Sequence, residues 1–294
     1  MKSQGRQRSV MMFWGCMISA VEPFVEKAAR FSLERLGVTV DEMPDATCCP
    51  DPEISRTLGE EVWLTLAGRN LSLANKAGGD VCVICNGCFD TLTKANSRLT
   101  TDQTMNQRVN TAIAKYGTEY DGSSRIFHVI ELLHDTVGLE VIKEKLDRSL
   151  LGLRCAPQYG CRILREDLNL APKFDSLITT LGGELVHTKT ERLCCGVPAM
   201  YADPDFSLHQ RTEVKLKEIK ESQAECITLF CPACAERIER AEVTLRKEGR
   251  DFEIPVVNYL ELLALCLGAS STDIGAHLHR VSIDPIVERI MKAP

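Results

Sequence analysis

The strongest constraint in this sequence is a cysteine pattern that occurs twice. Residues 80–88 and 225–234 each join a short apolar run to a Cys-x-x-Cys motif, and in both copies 35 residues separate the motif from an adjacent cysteine pair upstream. A single cysteine after an aromatic residue and a glycine comes earlier still, separated from its pair by 31 residues in the first copy and 32 in the second. The offset of 145 to 146 residues between the copies indicates a duplicated fold. The two sets are Cys16, Cys48, Cys49, Cys85 and Cys88, and Cys161, Cys194, Cys195, Cys231 and Cys234.

The length of 294 residues is sufficient for two domains of ordinary size, and the repeat favours two. We predict a first domain over 1–149, with an insertion at about 97–125, and a second over 150–294. The net charge of −6 gives no electrostatic reason to expect nucleic acid or an anionic membrane as a partner. No glycine-rich phosphate-binding motif occurs, so we expect the chain to bind neither NAD nor ATP.

The N-terminus is similar to a secretory signal peptide, because Lys2, Arg6 and Arg8 precede an apolar run over 10–21. We reject that interpretation, since cleavage after Ala20 would remove Cys16, a member of the repeat. No run reaches the ~18 to 20 apolar residues that cross a bilayer. We therefore expect a cytoplasmic protein, and in a reducing compartment clustered cysteines indicate metal or redox chemistry rather than structural disulfides.

The apolar pattern predicts an α/β fold. Strand-like runs alternate with helical patterns of about ten or more residues in both halves, which is typical of parallel sheets flanked by helices. Each cysteine element follows a predicted strand. Ligands of such sheets bind beyond the carboxyl ends of the strands, so the cysteines of each half should converge there.

Some segments do not follow the repeat. We predict that the insertion at 97–125 decorates one edge of the fold, and that residues 269–294 form a tail that docks on a neighbouring protein. Lys215, Lys217, Glu218 and Lys220 predict the solvated face of a helix. His277 and His279 form a His-x-His pair without nearby cysteines, which is more typical of a surface feature than of a metal site.

The number of cysteines in each set bears on what they bind. Structural zinc takes four tetrahedral ligands, so a fifth repeated cysteine would be left over in each half. Adjacent cysteines crowd a single ion but suit a cluster that offers several irons, and iron–sulfur clusters are held by thiolates. The residues alone favour iron–sulfur ligation and leave zinc sites and disulfides as alternatives.

The pattern of one Cys, a Cys-Cys pair and a Cys-x-x-Cys resembles that of the CCG-domain proteins, and among them the B subunits of heterodisulfide reductases. The resemblance covers nearly the whole chain and includes residues 63–71, Cys85-Asn86-Gly87-Cys88 and Tyr159-Gly160-Cys161. It departs from the family at Pro50, where the first pair is followed by proline instead of glycine. The resemblance implies two repeated Rossmann-like CCG domains, each a small, mainly parallel sheet flanked by helices.

The resemblance also implies a cofactor and ligands. Each repeat of the family binds a noncubane [4Fe-4S] cluster through five cysteines, and the disulfide substrate lies between the two clusters. Carried over to this chain, the first set of five cysteines would hold one cluster and the second set the other. Cys155 competes with Cys161 as the first ligand of the second set, and we prefer Cys161 because its Gly-Cys context matches Cys16. For Cys82, Cys155, Cys226 and Cys266 we predict buried core thiols.

The implied function is catalysis within a multisubunit complex, in which this chain would be the oxidoreductase that reduces a disulfide to two thiols. Its partners would be the ferredoxin-like C subunit and the flavin-containing A subunit of a heterodisulfide reductase. In methanogenesis such complexes use the mixed disulfide of coenzyme M and coenzyme B, but the sequence does not identify the disulfide. Arg162 and Arg192, close to the second cysteine set, are candidates for holding an anionic group of the substrate.

Two alternatives stay open. The chain could transfer electrons through iron–sulfur clusters in another dehydrogenase or in a quinone-linked complex, in which CCG domains also occur. It could also be a zinc-stabilised interaction protein. The first alternative predicts clusters without turnover of a disulfide, and the second predicts a colourless protein.

Overall fold

Two sheets of four parallel strands form the centre of the protein, whose computed structural model describes residues 8–51, 55–163 and 169–292. The first sheet consists of β1 (Arg8–Phe13), β2 (Val38–Glu42), β3 (Val81–Val83) and β4 (Ile126–His128). The second consists of β5 (Arg154–Gln158), β6 (Glu184–Leu185), β7 (Cys226–Leu229) and β8 (Val256–Asn258). The strand orders are β2-β1-β3-β4 and β6-β5-β7-β8, with every pairing parallel. The predicted fold class is confirmed.

Helices flank both sheets. Those of the first half are α1 (Gly15–Ala20), α2 (Pro23–Arg35), α3 (Glu60–Ala77), α4 (Asn86–Thr101), α5 (Gln103–Ile113), α6 (Val129–Glu131) and α7 (Leu139–Lys145). Those of the second half are α8 (Leu170–Thr180), α9 (Val197–Met200), α10 (Pro204–Ser207), α11 (Glu213–Glu221), α12 (Pro232–Lys247), α13 (Tyr259–Cys266) and α14 (Asp284–Met291). Segments Leu132–Gly138 and Leu208–Thr212 are π-helical, and Arg56–Leu58, Ala114–Tyr116 and Ala276–Leu278 form 3₁₀ turns.

The local sequence explains where these elements begin and end. Strands β1 and β7 are apolar on both faces and buried from Val10 to Phe13 and from Cys226 to Leu229, as parallel strands covered by helices require. Helix α2 begins at Pro23, whose missing N–H costs nothing in the first turn. Helix α3 ends at Gly78, which adopts the left-handed conformation at φ 69°.

The two halves are joined by a reciprocal exchange of helices. The helix after the fourth strand of the second sheet, α13, packs on α2 of the first half, and Ser32 Oγ donates to the Leu260 carbonyl at 3.4 Å. In the same way α6 of the first half packs on α8 of the second. An aromatic cluster fills the junction, where the ring of His128 in the first half lies 5.8 Å from that of Phe230 in the second. The predicted boundary near Ser149 stays a prediction.

The insertion at 97–125 is an integral part of the first half. Helix α4 continues through its start, and α5 then packs on α3 so closely that a Cβ at Gly68 would lie 2.8 Å from Val109. Tyr120 is buried and donates a hydrogen bond to Asn96 Oδ1 at 2.6 Å. The segment therefore contributes to the core of the first half, which the prediction of edge decoration did not include.

The C-terminal segment corrects a prediction. Its apolar residues Ile286, Val287 and Ile290 are buried within this chain, and Lys27 of α2 donates to the Thr272 carbonyl at 3.3 Å. The described part of this segment packs on its own chain, so the prediction that it forms a tail docked on a neighbouring protein is wrong for these side chains. Over the described ranges, no helix is both long and apolar enough to cross a bilayer.

Candidate metal centre

A cavity of about 650 Å³ lies between the two halves, and all ten repeated cysteines line it. The Cys-Cys pairs follow β2 and β6, the Cys-x-x-Cys motifs follow β3 and β7, and the single cysteines follow β1 and β5. The cavity therefore lies beyond the carboxyl ends of the strands, which is where parallel sheets bind ligands. The predicted convergence of each set occurs, and both sets face the same space, as the resemblance implies.

The ten thiols form a continuous series in which each thiol is hydrogen-bonded to the next. Cys16 and Cys48 are in contact, with their sulfur atoms 3.7 Å apart. The series runs in the order Cys16, Cys48, Cys49, Cys88, Cys85, Cys231, Cys234, Cys195, Cys194 and Cys161. The second five positions repeat the first five in reverse, and Cys85 and Cys231 link the two sets.

Contacts between thiols favour ionisation at Cys49 in the first set and at Cys194 and Cys231 in the second. Hydrogen bonds from neighbouring thiols of the series lower the pKa of each of these three. A hydrogen bond to the charged form stabilises it, so these contacts favour thiolates in both sets. The thiolate is the form of cysteine that binds metal.

A polar residue at the end of the fourth strand positions each Cys-x-x-Cys motif. His128 Nε2 lies 2.9 Å from the carbonyl of Ile84, which directly precedes the first motif. Burial lowers the pKa of His128 to about 4, so the ring is neutral and donates this hydrogen bond. Asn258 does the same in the second half, where Nδ2 donates to the carbonyl of Phe230 at 3.0 Å. The duplication thus preserves the geometry with a different side chain.

The Cys-Cys loops are held by side chains from the following helices. Buried Asn70 of α3 donates to the Cys48 carbonyl at 3.0 Å and accepts from the Thr47 N–H at 2.9 Å. In the second half, Thr212 Oγ1 donates to the Cys195 carbonyl at 2.7 Å. These hydrogen bonds satisfy loop carbonyls that would otherwise be buried without a partner.

The glycine before each single cysteine is required by the close approach of residues from the first Cys-x-x-Cys motif. Gly15 and Gly160 have φ of 72° and 79°, in the region that favours glycine. A Cβ at Gly15 would lie 2.8 Å from Cys88 Sγ, and one at Gly160 would lie 2.4 Å from the side-chain nitrogen of Asn86. Asn86 Nδ2 also donates to the Tyr159 carbonyl at 2.8 Å, which ties the first motif to the second half.

The donor set fits iron–sulfur clusters. Five thiols in each half line the cavity, which exceeds the four ligands of a mononuclear zinc site, and soft thiolate sulfur is the ligand type of iron–sulfur clusters. Within the described part of the chain, no group of three or more His, Cys, Asp or Glu side chains is arranged to hold a single metal ion. All fourteen cysteines are free thiols, and six of the ten repeated ones are buried.

The two predicted substrate arginines lie in different places. Arg162 is buried at the cavity, donates to Asp90 Oδ2 at 2.7 Å and lies 3.4 Å from Asp51 Oδ2, so first-half carboxylates hold it. Arg192 is 72% exposed, lies 3.8 Å from Glu191 and is absent from the described lining of the cavity. A role for either in substrate binding stays a prediction.

Sequence reasoning missed several residues of the cavity wall. Glu236, Arg237 and Arg240 on α12 line the cavity. The sequence contained a signal for two of them. Arg237 and Arg240 follow Cys234 by three and six positions on a helix that begins at the motif, so they lie one and two turns further along from it. The prediction of a solvated helix face is wrong at Lys215. Its side chain is fully buried and donates a hydrogen bond to the Thr190 carbonyl.

The remaining candidates lie away from the cavity. Cys82, Cys155, Cys226 and Cys266 are fully buried in the core, as predicted, and Cys155 Sγ is 3.7 Å from Cys226 Sγ. The His279 side chain is 4% exposed and lies between Glu239 and Glu261, with which it forms hydrogen bonds of 2.8 and 2.9 Å. His279 therefore belongs to a buried ion-pair cluster rather than to the surface, while His277 is exposed.

Comparison with known proteins identifies the family of this site. The CCG family of cysteine-rich domains matches the chain twice, at residues 10–93 and 155–239. The chain belongs to the CCG family. The resemblance inferred from the cysteine pattern is thereby confirmed.

Relatives of known function extend along almost the whole chain. The B subunit of the ferredoxin:CoB-CoM heterodisulfide reductase of Methanosarcina mazei is 33% identical over 92% of this chain and 93% of its own length. A protein of Archaeoglobus profundus, named as similar to the B subunit of heterodisulfide reductase, is 32% identical over 96% of this chain and 97% of its own length. These relatives support an oxidoreductase role in electron transfer, iron–sulfur clusters as cofactors and partner subunits.

A more distant relative belongs to a different enzyme. The 8-methylmenaquinol:fumarate reductase membrane anchor subunit of Wolinella succinogenes is 26% identical over 92% of this chain and 95% of its own length. Among solved structures, a hypothetical protein from Helicobacter pylori superposes with a TM-score of 0.76 at 14% identity, over 95% of this chain and 53% of that chain. That likeness shows the fold alone, and this chain spans about half of the Helicobacter chain.

Proposed function

We propose that this chain is the catalytic subunit of a heterodisulfide reductase complex, in which it reduces a disulfide to two thiols. The observation that carries the proposal is that both five-cysteine sets line one shared cavity. A disulfide accepts two electrons and two protons, whereas an iron–sulfur cluster typically delivers one electron at a time. Two clusters facing one space would therefore match the stoichiometry of the reaction.

The proposed cofactors are two noncubane [4Fe-4S] clusters. Cys16, Cys48, Cys49, Cys85 and Cys88 would hold the first, and Cys161, Cys194, Cys195, Cys231 and Cys234 the second. When bound, the clusters would supply the electrons and Lewis-acidic iron for the two sulfur atoms that separate. The thiolate character of Cys49 and Cys194 and the reversed symmetry of the two sets support this assignment.

The protein's own contribution is to position the substrate and exclude water. Met17 and Val21 of the first half and Val197 and Tyr201 of the second form apolar parts of the cavity wall. A cavity of about 650 Å³ falls within the range of small-molecule sites, about 300–1,000 Å³. An apolar wall beside charged arginines suits a disulfide with an apolar centre and polar ends.

The proposed partners are a ferredoxin-like C subunit, which would deliver electrons, and a flavin-containing A subunit further from the cavity. Relatives named as B subunits of heterodisulfide reductases support this assembly. The mixed disulfide of coenzyme M and coenzyme B is the candidate substrate, since the Methanosarcina relative is named for it. A cysteine-rich chain whose repeated cysteines bind clusters is expected in a reducing compartment, so a cytoplasmic location is part of the proposal.

Metal analysis of the anaerobically purified chain tests the cofactor assignment. We expect about eight iron atoms per chain, as two four-iron clusters require, and no stoichiometric zinc. One or two zinc ions without iron would contradict the proposal and favour the zinc-stabilised interaction protein.

Matched serine variants test the ligand sets. Cys49→Ser and Cys195→Ser should each lose about half of the iron and abolish disulfide reduction with a reduced viologen dye as electron donor. Cys266→Ala is the control, because this cysteine is equally buried but lies outside the cavity lining, and it should retain its iron. Full activity in both serine variants would overturn the assignment.

The relative from Wolinella favours a second candidate function, electron transfer within a quinone-linked complex. This function predicts the same iron content but no turnover of any disulfide. Assaying the purified complex against a panel of disulfides, including the mixed disulfide of coenzyme M and coenzyme B, and against a quinol analogue distinguishes the two.

A further inference from the structure

Arg237 is a buried cation without a protein partner at the wall of the cavity. It lies one turn after Cys234 on α12, and the residue is only 8% exposed. Among the described residues, its Nε and Nη2 atoms have no hydrogen-bond partner, and the hydrogen bond of Nη1 is to the sulfur atom of Met200 at 3.8 Å. A guanidinium carries five N–H donors, so most of the donor capacity of Arg237 is unused.

This arrangement is energetically unfavourable unless a ligand completes it. Burial lowers the pKa of Arg237, but a guanidinium remains protonated at neutral pH. Cys195 raises the pKa of Arg237 by less than burial lowers it, so this thiol offsets only part of the desolvation cost of a buried charge that has no carboxylate partner among the described residues. Both observations indicate that an anion from outside the chain faces Arg237 when the site is in use.

The other arginines of the cavity wall are already paired. Arg162 is held by Asp90 and Asp51, and Arg240 Nε donates to Glu236 Oε1 at 2.8 Å. Of these three arginines, Arg237 alone has no carboxylate partner among the described residues. An incoming anion at Arg162 or Arg240 would have to displace a protein carboxylate, whereas none has to be displaced at Arg237.

The duplication shows that this cation is confined to one side of the cavity. Thr91 occupies the position in the first half that Arg237 occupies in the second, three residues after the Cys-x-x-Cys motif. Thr91 is fully buried, and its hydroxyl donates to the Pro50 carbonyl at 3.2 Å. Among the described residues, the first-half part of the lining contains no arginine or lysine and includes the carboxylate of Asp51. An anionic group is therefore favoured beside Arg237 and not beside the first-half lining.

We propose that Arg237 binds an anionic group of the substrate, a carboxylate, sulfonate or phosphate, and so places the anionic end of an asymmetric disulfide against the second half. This inference rests on the proposed disulfide-reductase function and specifies the substrate class and its orientation. Arg237 acts as a specificity-determining residue: it binds the substrate's charge and takes no part in the transfer of electrons to the sulfur atoms.

The test compares three symmetric disulfides of similar length, assayed with the intact complex and a reduced viologen dye. These are dithiodipropionate with two carboxylates, bis-hydroxyethyl disulfide without charge, and cystamine with two ammonium groups. Loss of hydrogen bonds to a charged group corresponds to roughly a 10- to 100-fold change in affinity. We expect Arg237→Gln to raise KM for dithiodipropionate by roughly that factor with kcat little changed, and to leave the constants for the neutral disulfide unaltered.

Two further variants keep the test specific. Arg237→Lys retains the charge and should recover part of the preference for the dianion. Arg246→Gln removes an arginine from the same helix, where it pairs with Asp251 on the surface at 3.0 Å, and should behave as the wild type. Iron content and circular dichroism equal to the wild type establish that each variant is folded and loaded.

Equilibrium binding separates this inference from the proposed function. Calorimetric titration of the oxidised complex with dithiodipropionate, without an electron donor, requires no turnover and should show a loss of affinity in Arg237→Gln. If the wild type reduces neither these three disulfides nor the mixed disulfide of coenzyme M and coenzyme B, the proposed function fails, while weakened binding in the variant still supports Arg237 as the anion site. If the wild type reduces disulfides but Arg237→Gln changes neither KM nor binding of the dianion, the assignment of Arg237 is overturned and the proposed function stands.

Discussion

The two halves of this protein share one scaffold but surround the cavity with different charges. Two residues after the Cys-x-x-Cys motif, the first half has Asp90 and the second has Glu236, and both carboxylates pair with a base one turn further along their own helix. Asp90 is also bound by buried Arg162 of the opposite half, whereas Glu236 is bound by the partly exposed Arg280. The next position is Thr91 in the first half and Arg237 in the second.

This difference shows what the duplication preserved and what it left free to change. The backbone positions of the cysteines, the strand order and the hydrogen bonds that hold the motifs recur in both halves. The charges recur only in part, and Arg162 crosses from the second half to neutralise Asp90 of the first. A site with two equivalent cysteine sets can therefore still distinguish the two ends of a substrate.

The largest expected effect is a difference in stability between two variants, which remove the carboxylates at the equivalent positions Asp90 and Glu236. Asp90→Ala removes the carboxylate that lies 2.7 Å from the buried Arg162, so the free energy of unfolding should fall by about 3 kcal/mol. Glu236→Ala should cost about 1 kcal/mol or less, because Arg240 and Arg280 are 62% and 37% exposed and remain hydrated. Urea unfolding of the full chain under anaerobic conditions measures both. Equal losses in the two variants would show that the charge environments of the halves do not differ in the way described.

A smaller effect is expected from the C-terminal segment, which has no counterpart in the first half. His279 joins this segment to α12 through Glu239 and to α13 through Glu261, and its ring lies 5.0 Å from that of Phe24 in the first half. His279→Gln should lower the free energy of unfolding by roughly 1.5–3 kcal/mol at pH 6, since hydrogen bonds between charged groups are lost.

The contribution of His279 should depend on pH. Burial by itself lowers the pKa of His279, but Glu261 and Glu239 raise it to about 10, above the value of about 6.5 in the unfolded chain. The stabilisation is therefore fully present below pH 6.5 and is lost as pH rises through about 10. Glu22, Glu236 and Arg280 lie in the same cluster. The stability difference between wild type and variant should shrink between pH 6 and pH 10, and a difference that stays constant would contradict the assignment.

The smallest expected effect compares the glycines before the single cysteines. Gly15→Ala and Gly160→Ala each force a residue with a side chain into the left-handed region, at a cost of about 1–2 kcal/mol. Gly160→Ala should cost more, because its Cβ would meet Asn86, which bonds across the halves, at 2.4 Å. Thermal unfolding of the two variants, together with their iron content, shows which substitution costs more stability. A smaller loss at Gly160 would indicate that Asn86 is not a fixed link between the halves.

Much of the fold was accessible from periodicity. The apolar period of residues 22–36 predicts a helix, and α2 is observed at Pro23–Arg35; the apolar run over 225–230 predicts a strand, and β7 is observed at Cys226–Leu229. Local patterns are strong in these elements because buried parallel strands are apolar throughout and the helices between them are amphipathic. The apolar period of residues 205–221 indicates one helix, but the structure has a π-helical turn at Leu208–Thr212, which this period does not indicate.

The errors concern side chains whose environment is built by distant segments. Lys215 occurs in a run of charged residues, yet it is buried and its ammonium group donates to Thr190, 25 residues earlier. The C-terminal segment was predicted to dock elsewhere, but its apolar face packs within the chain. Arg192 was favoured for its closeness in sequence to Cys194, although the described cavity wall uses Arg237 from another element.

The sequence by itself determined the number of thiols in each half, their placement after strands and the parallel architecture that brings each set to one end of a sheet. These properties follow from spacing and periodicity, which are local. Only the tertiary structure decided that both sets face one cavity and that Arg162 is paired while Arg237 is not. Charge pairing depends on distances in space, and the carboxylates that hold Arg162 lie 72 and 111 residues away along the chain, beyond the reach of any sequence pattern.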